Sequence, residues 1–211
     1  MAKQLPRNVV FDVGNVLLSW DTRALLREHL PAGLDQDHFR REIFEHSDWV
    51  DLDRGTLDEE QALLNFRRRT GAPLDLVQRL VHASKAQLTP MPESLAFLEE
   101  LHRAGVSLYV LSNMSHATWD YLRPRHDWWN RFHGIVISAQ LQLVKPDPAI
   151  YRHLLQKWSL DPAETVFFDD RAENIRGARD SGLQAHLFDR CAPARTLVLD
   201  GRWRLPAPPA E

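Results

Sequence analysis

Four places in the 211-residue chain carry side chains that could do chemistry, and each follows or borders an apolar run. Asp12 stands after Val9-Val10-Phe11, Ser112 after Val110-Leu111, and the pair Asp169-Asp170 after Phe167-Phe168. Lys145 lies in Leu143-Val144-Lys145-Pro146-Asp147-Pro148. Singly each has a plain reading: a carboxylate caps a turn or sits at a sheet edge, and a lysine is a surface residue. Gathered in one crevice they mean more. Close acidic groups raise one another's pKa unless a cation sits between them, so three carboxylates imply a hard metal such as Mg²⁺. Such a site keeps open positions for water and phosphate oxygens. A lysine and a hydroxyl could hold the remaining charge on a phosphoryl group while one carboxylate attacks phosphorus. The resulting acyl phosphate can then be cleaved by water, which divides one slow hydrolysis into two easier displacements.

These groups can meet only if the apolar runs are strands of one parallel sheet, because ligands bind at the carboxyl ends of such strands. Val9 to Phe11, Val106 to Ser112, Gly134 to Ser138, Thr165 to Asp170 and Gln184 to Asp189 all read as short strands. Helical patterns separate them: Pro92 to Leu101, Ala117 to Leu122, Pro148 to Trp158, and a helix ending near Gly182. This alternation implies right-handed crossovers and an α/β fold, a Rossmann-like parallel sheet with helices on both faces. Residues 19–90 differ, for they contain helical patterns and no useful period-two run. Four short helices are expected there. Asp21 caps the first, the second runs from Asp37 through Phe44, Thr56 and Glu59 form a capping box for the third, and the fourth holds Leu76, Leu80 and Val81. The expected organisation is an α/β core of 1–18 and 91–211 with an inserted four-helix cap at 19–90, returning through Pro90 to Pro92. Thr196 to Leu199 reads as a short edge strand, and Pro206 to Glu211 as a frayed tail.

Composition excludes several classes of function. Hydrophobic residues at 44% and charged residues at 26% are ordinary for a globular protein. A net charge of -3 argues against nucleic acid as a partner, since the clusters Arg40-Arg41 and Arg67-Arg68-Arg69 are flanked by acids. Cys191 is the only cysteine, which removes an intramolecular disulfide framework and any multi-cysteine zinc site. No signal-peptide pattern and no apolar run of about 18 residues is found, so a cytoplasmic protein without a membrane partner is expected. The oligomeric expectation is a monomer or weak homodimer.

The ordered set of motifs resembles the haloacid dehalogenase-like hydrolases, specifically the phosphatases with a helical cap inserted after the first motif. Phe11-Asp12-Val13-Gly14-Asn15-Val16-Leu17 is similar to the first motif and Leu111-Ser112-Asn113 to the second. Lys145-Pro146 is similar to the third, and Phe167-Phe168-Asp169-Asp170 with Asn174 to the fourth. The nearest likeness is to the branch that includes bacterial α-D-glucose-1-phosphate phosphatases. The resemblance implies Asp12 as nucleophile and metal ligand, the Gly14 carbonyl as a second ligand, and Asp170 as a third, with Asp169 in the inner or outer shell. It implies Ser112 and the Asn113 N–H on phosphate oxygens, Lys145 neutralising nucleophile and phosphate, and Asn174 supporting the metal carboxylates. The substrate so implied is a small phosphorylated metabolite, a sugar 1-phosphate first among them.

The departure lies at Gly14, where many such phosphatases have a second Asp that protonates the leaving alcohol and later activates water. General acid catalysis, typically worth ~10²–10⁴-fold, must then come from elsewhere or be forgone. The leaving group could be a better one, such as an anomeric hydroxyl or an acyl phosphate. Alternatively the cap lends an acid, with His29, His46 and Glu45 as candidates, or the chain is a catalytically silent binder of phosphorylated ligands. Halide displacement from a 2-haloacid is a further alternative, although that chemistry wants no metal and leaves Asp169-Asp170 unexplained. Trp20 and Trp49 could stack on a substrate or pack the cap, and Arg54, on a loop between helices, could reach a second anion or pair with Asp51 or Asp53.

Overall fold

A computed structural model describes residues 5–204. Its centre is a five-stranded sheet, all parallel, in the order β3-β2-β1-β4-β5. The strands are β1 (Asn8–Phe11), β2 (Ser107–Ser112), β3 (Gly134–Ile137), β4 (Thr165–Asp169) and β5 (Gln184–Leu187). β1 lies in the middle, with Phe11 paired to Val110 on one side and Phe168 on the other. After building β2 and β3 outward, the chain crosses β1 to build β4 and β5, so the order reverses beside β1. That reversal opens a crevice at the carboxyl ends, the usual place for a ligand in such a sheet.

Alternation along each strand decides which layer covers which face. Val9, Phe11, Leu108, Val110, Val166 and Phe168 pack on one side with α6 (Pro92–Arg103) and α10 (Cys191–Leu199). Val10, Tyr109, Leu111, Phe167 and Ala185 pack on the other with α8 (Pro148–Lys157) and α9 (Ala172–Asp180). Phe11 and Phe168, on adjacent strands, stack at 6.0 Å between ring centroids. Both faces are thus buried, which is why the strands read as continuous apolar runs. A further helix, α7 (His116–Leu122), follows β2.

Between β1 and α6 the described chain forms only helices: α1 (Thr22–His29), α2 (Gln36–Phe39) running into a π-turn at Arg40–Phe44, α3 (Ser47–Arg54), α4 (Glu59–Thr70) and α5 (Leu74–Ala86). They bury a hydrophobic cluster of their own around Leu25, Ile43, Phe66 and Leu80. One helix more is present than expected, since α3 occupies a stretch read as a loop. The cap of α4 also differs: Asp58, not Thr56, accepts the Gln61 N–H at 2.7 Å, while the Thr56 hydroxyl donates to the Asp51 carbonyl at 3.3 Å.

The expected edge strand at Thr196 to Leu199 is wrong, because those residues end α10. β-Branched residues suggested extension, but Cys191, Ala194 and Val198 recur at helical spacing and are buried against the sheet. Burial of that stripe overrides a weak strand propensity. The tail from Pro206 to Glu211 lies outside the described residues.

Candidate active site

Asp12 is delivered by the end of β1. Its main-chain N–H still donates to the Phe168 carbonyl at 2.9 Å, one rung beyond the strand, which ties the residue to the end of β4. The chain then folds back sharply, with the Leu17 and Leu18 N–H groups both 2.9 Å from the Val13 carbonyl. Asn15 takes φ 54, a left-handed conformation that asparagine tolerates better than most residues. From there its amide donates to Asp170 Oδ2 at 2.9 Å and its oxygen accepts the Trp20 N–H at 2.9 Å. Asn15 therefore ties the first turn to the acid after β4. Sequence reasoning gave it no task, although an asparagine next to a glycine in a tight turn was the available signal.

Lys145 is sealed between two carboxylates. Its Nζ lies 2.8 Å from Asp12 Oδ1 and 2.6 Å from Asp169 Oδ2, and only 1% of the lysine side chain is exposed. Burial alone would lower its pKa, but the two acids outweigh burial and hold the ammonium above its ordinary value. Asp169, wholly buried, has both oxygens engaged: Asn174 Nδ2 is 3.0 Å from each, and the Arg171 N–H is 2.8 Å from Oδ1. Asp169 is thus the residue that aims Lys145, and Asn174 in turn orients Asp169.

Asn113 acts through its side chain as well as lying next to Ser112. Its Oδ1 accepts the Lys145 N–H at 2.8 Å and its Nδ2 donates to the Lys145 carbonyl at 3.0 Å. These reciprocal bonds fasten the end of β2 to the backbone that carries the lysine. Ser112, buried at the last position of β2, is paired with Ile137.

Asp12, Asp169 and Asp170 each place a carboxylate oxygen within 4.8 Å of the others. Burial first, and then the neighbouring acids, hold Asp12 and Asp170 above the usual carboxylate range, against the pull of Lys145. One lysine does not balance three acids, and the donors are all hard oxygens. The residues present therefore fit a cation such as Mg²⁺, which Asp12, Asp169 and Asp170 could hold.

The acids suggested for the cap do not join this group. His29 faces Glu28, Glu45 is paired with Arg40, and His46 accepts the Asp48 N–H with its Nδ1 at 3.2 Å. Trp20 and Trp49 pack against each other at 5.8 Å between ring centroids, with Phe44 and Phe66 beside Trp49. Arg54 is the last residue of α3, not a loop residue, and faces Asp51 at 3.7 Å. Asp53, on the same helix, is near enough to the site to feel the charges of Asp12, Arg171 and Lys145, whereas its sequence suggested only a partner for Arg54.

A family model described as a haloacid dehalogenase-like hydrolase matches residues 6–182. The chain belongs to that family. Among the relatives of this hydrolase, a sesquiterpene phosphatase of Aspergillus oryzae is 29% identical over 197 residues, covering 90% of this chain and 95% of its own. A glyceraldehyde 3-phosphate phosphatase of Methanopyrus kandleri is 30% identical over 188 residues, covering 83% and 80%. Two other curated relatives are much longer, and the hydrolase spans 34% and 18% of their lengths. An enzyme of the same family from Bacteroides thetaiotaomicron, solved with magnesium and inorganic phosphate, shares the fold at a TM-score of 0.69 and 18% identity, over 86% of this chain and 93% of that one. No helix among the described residues is long and apolar enough to cross a membrane.

Proposed function

We propose that this hydrolase is a Mg²⁺-dependent phosphomonoesterase that cleaves a small phosphorylated metabolite through an aspartyl-phosphate at Asp12. The observation that carries the reading is the placement of Asp12, buried beside Lys145 at 2.8 Å and clustered with Asp169 and Asp170. A carboxylate held against an ammonium is oriented for attack while its charge is offset. Lys145 then faces the phosphoryl oxygens as they approach Asp12, and Asp169 keeps it there. The Ser112 hydroxyl and the Asn113 N–H are the proposed donors to the remaining phosphate oxygens, and Asn15 and Asn174 fix the carboxylates of Asp170 and Asp169. When bound, the cation would offset phosphoryl charge and orient the ester. The Gly14 carbonyl is a proposed ligand to it.

In this reading the helices of 19–90 act as a cap over the crevice and the substrate is a sugar 1-phosphate first of all, because an anomeric oxygen leaves more easily than an ordinary alkoxide. In the same reading the chain works in the cytoplasm as a monomer or weak homodimer.

The test is phosphate release from a panel of sugar 1-phosphates, sugar 6-phosphates, triose phosphates and acyl phosphates, with Mg²⁺ and with chelator. Release that requires the cation and falls at least about 10³-fold in Asp12→Asn is the expected result. No release from any member, or release unchanged in that variant, overturns the reading. Chloride release from a 2-haloacid without added metal would favour the dehalogenase alternative instead.

A further inference from the structure

Cleavage of a phosphate ester has a second charge to manage, that on the leaving oxygen, which departs as an alkoxide unless a proton reaches it. In this reading the sheet side commits Asp12 to attack, Ser112 to the phosphate and Asp170 to the cation, which leaves no side chain among the described residues there to give the leaving oxygen a proton. Lys145 is held by two carboxylates, Asp169 accepts bonds at both oxygens, and Gly14 has no side chain. The opposite side is supplied by α3.

The last turn of α3 is pinned to the loops that follow β2 and β3. The Ser138 hydroxyl donates to the Asp53 carbonyl and accepts the Met114 N–H at 2.8 Å. Gly55, at φ 77, lies so close to the turn after β3 that a Cβ there would stand 2.5 Å from the Ala139 carbonyl oxygen. Within this latch the Ser115 main-chain N–H faces the Asp53 carboxylate as a donor, three residues beyond Ser112. Asp53 is therefore held over the crevice by contacts on either side of it, and it is charge-coupled to Asp12, Arg171 and Lys145.

We propose that Asp53 protonates the leaving oxygen and, once ionised, takes a proton from the water that resolves the aspartyl-phosphate, an inference that rests on the phosphatase reading of Asp12. In the first half-reaction an Asp12 oxygen bonds to phosphorus as the bond to the leaving oxygen breaks, and the Asp53 proton moves to that oxygen to give the alcohol. In the second, a water oxygen bonds to phosphorus as the bond to Asp12 breaks, and the water's proton returns to Asp53. Burial, and after it the charge of Asp12, push the pKa of Asp53 up to about 7 against Ser115, Arg171 and Lys145, so both protonation states are accessible near neutrality. With an acid in place, esters of ordinary alcohols become substrates beside the anomeric ones.

Asp53→Asn keeps the volume and one acceptor oxygen. The experiment compares steady-state kcat on a sugar 6-phosphate with the first-turnover burst of nitrophenol from p-nitrophenyl phosphate, both with Mg²⁺. The expected result is a loss of about 10²-fold in kcat on the alkyl ester, with a burst within about threefold of the parent chain and accumulation of phosphoenzyme by intact mass. The fall in kcat/KM on the basic side of neutrality should also vanish for the alkyl ester. Unchanged kcat, or an equal loss on both esters with the burst included, overturns the role of Asp53. A parent chain that forms no phosphoenzyme overturns the phosphatase reading itself.

Discussion

Lys145 and Asp12 form an ion pair at 2.8 Å with side chains only 1% and 10% exposed, so neither charge has water to fall back on. Removing the ammonium leaves Asp12 and Asp169 without the cation between them, Asp169 keeping only its bonds from Asn174 and the Arg171 N–H. Breaking a buried pair from one side costs about 3–5 kcal/mol. Lys145→Met should therefore abolish turnover and lower stability by about 3 kcal/mol near pH 8, measured by urea denaturation. The penalty should shrink near pH 5, where Asp12 can take up a proton instead. An equal penalty at the two pH values would mean that Asp12 is not the charge left behind.

The same acids make the metal-free protein sensitive to pH in a stated direction. Asp12 and Asp170 have folded-state pKa values above their unfolded ones, so between the two the folded state holds more protons. Stability then falls as pH rises through that window. A divalent cation competes with those protons and binds better as they leave. In thermal melts the chelator-treated chain should lose stability from about pH 5 to about pH 8, and millimolar Mg²⁺ should raise the melting temperature more at the higher pH. Asp12→Asn should remove much of that difference. A Mg²⁺ effect independent of pH would place the cation elsewhere.

How far the sequence led depends on where each residue lies. Val9 to Phe11, Val110-Leu111 and Phe167-Phe168 are apolar because both sheet faces are covered, so a polar residue at the end of each run stands out. Asp12, Ser112 and Asp169-Asp170 could be read as candidates in this way, and Lys145 as a cation just before a helix. Asp53 could not. It sits in Asp51-Leu52-Asp53-Arg54-Gly55, where four residues of five are polar or glycine and a loop is the natural reading. Its meaning arises only when α3 docks on Ser115 and Ser138, which lie more than sixty residues away. The task of Asn113 is hidden for the same reason, since its partner Lys145 is 32 residues distant.

Gly55 tests that docking without touching any charged group. Alanine there combines a left-handed backbone with a Cβ 2.5 Å from the Ala139 carbonyl oxygen, and backbone on both sides leaves nothing flexible to yield. Gly55→Ala should cost about 1–3 kcal/mol in stability through strain. Because α3 must back away, Asp53 should move with it, and kcat on an alkyl phosphate should fall at least about tenfold while the first-turnover burst with p-nitrophenyl phosphate is spared. Undiminished kcat in a chain of normal stability would show that α3 need not sit where it does.

Gly14 offers the reverse experiment. Its backbone lies outside the left-handed region, and a Cβ there would meet only Trp20 Cβ, at an ordinary 3.9 Å. Space and conformation therefore permit a side chain, and the glycine is not forced by the turn. An acid two residues after Asp12 could reach the leaving oxygen from the sheet side, the task assigned above to Asp53. If so, Gly14→Asp should recover at least about tenfold of the alkyl-phosphate kcat that Asp53→Asn loses. In the parent chain, where an acid already serves, the same substitution should add less than about threefold and raise the pKa of Asp12 further by like-charge repulsion. The four proteins form a double-mutant cycle on kcat. A non-additive recovery identifies the two positions as alternative sources of one proton, whereas additive effects would separate their roles and remove the basis for assigning that proton to Asp53.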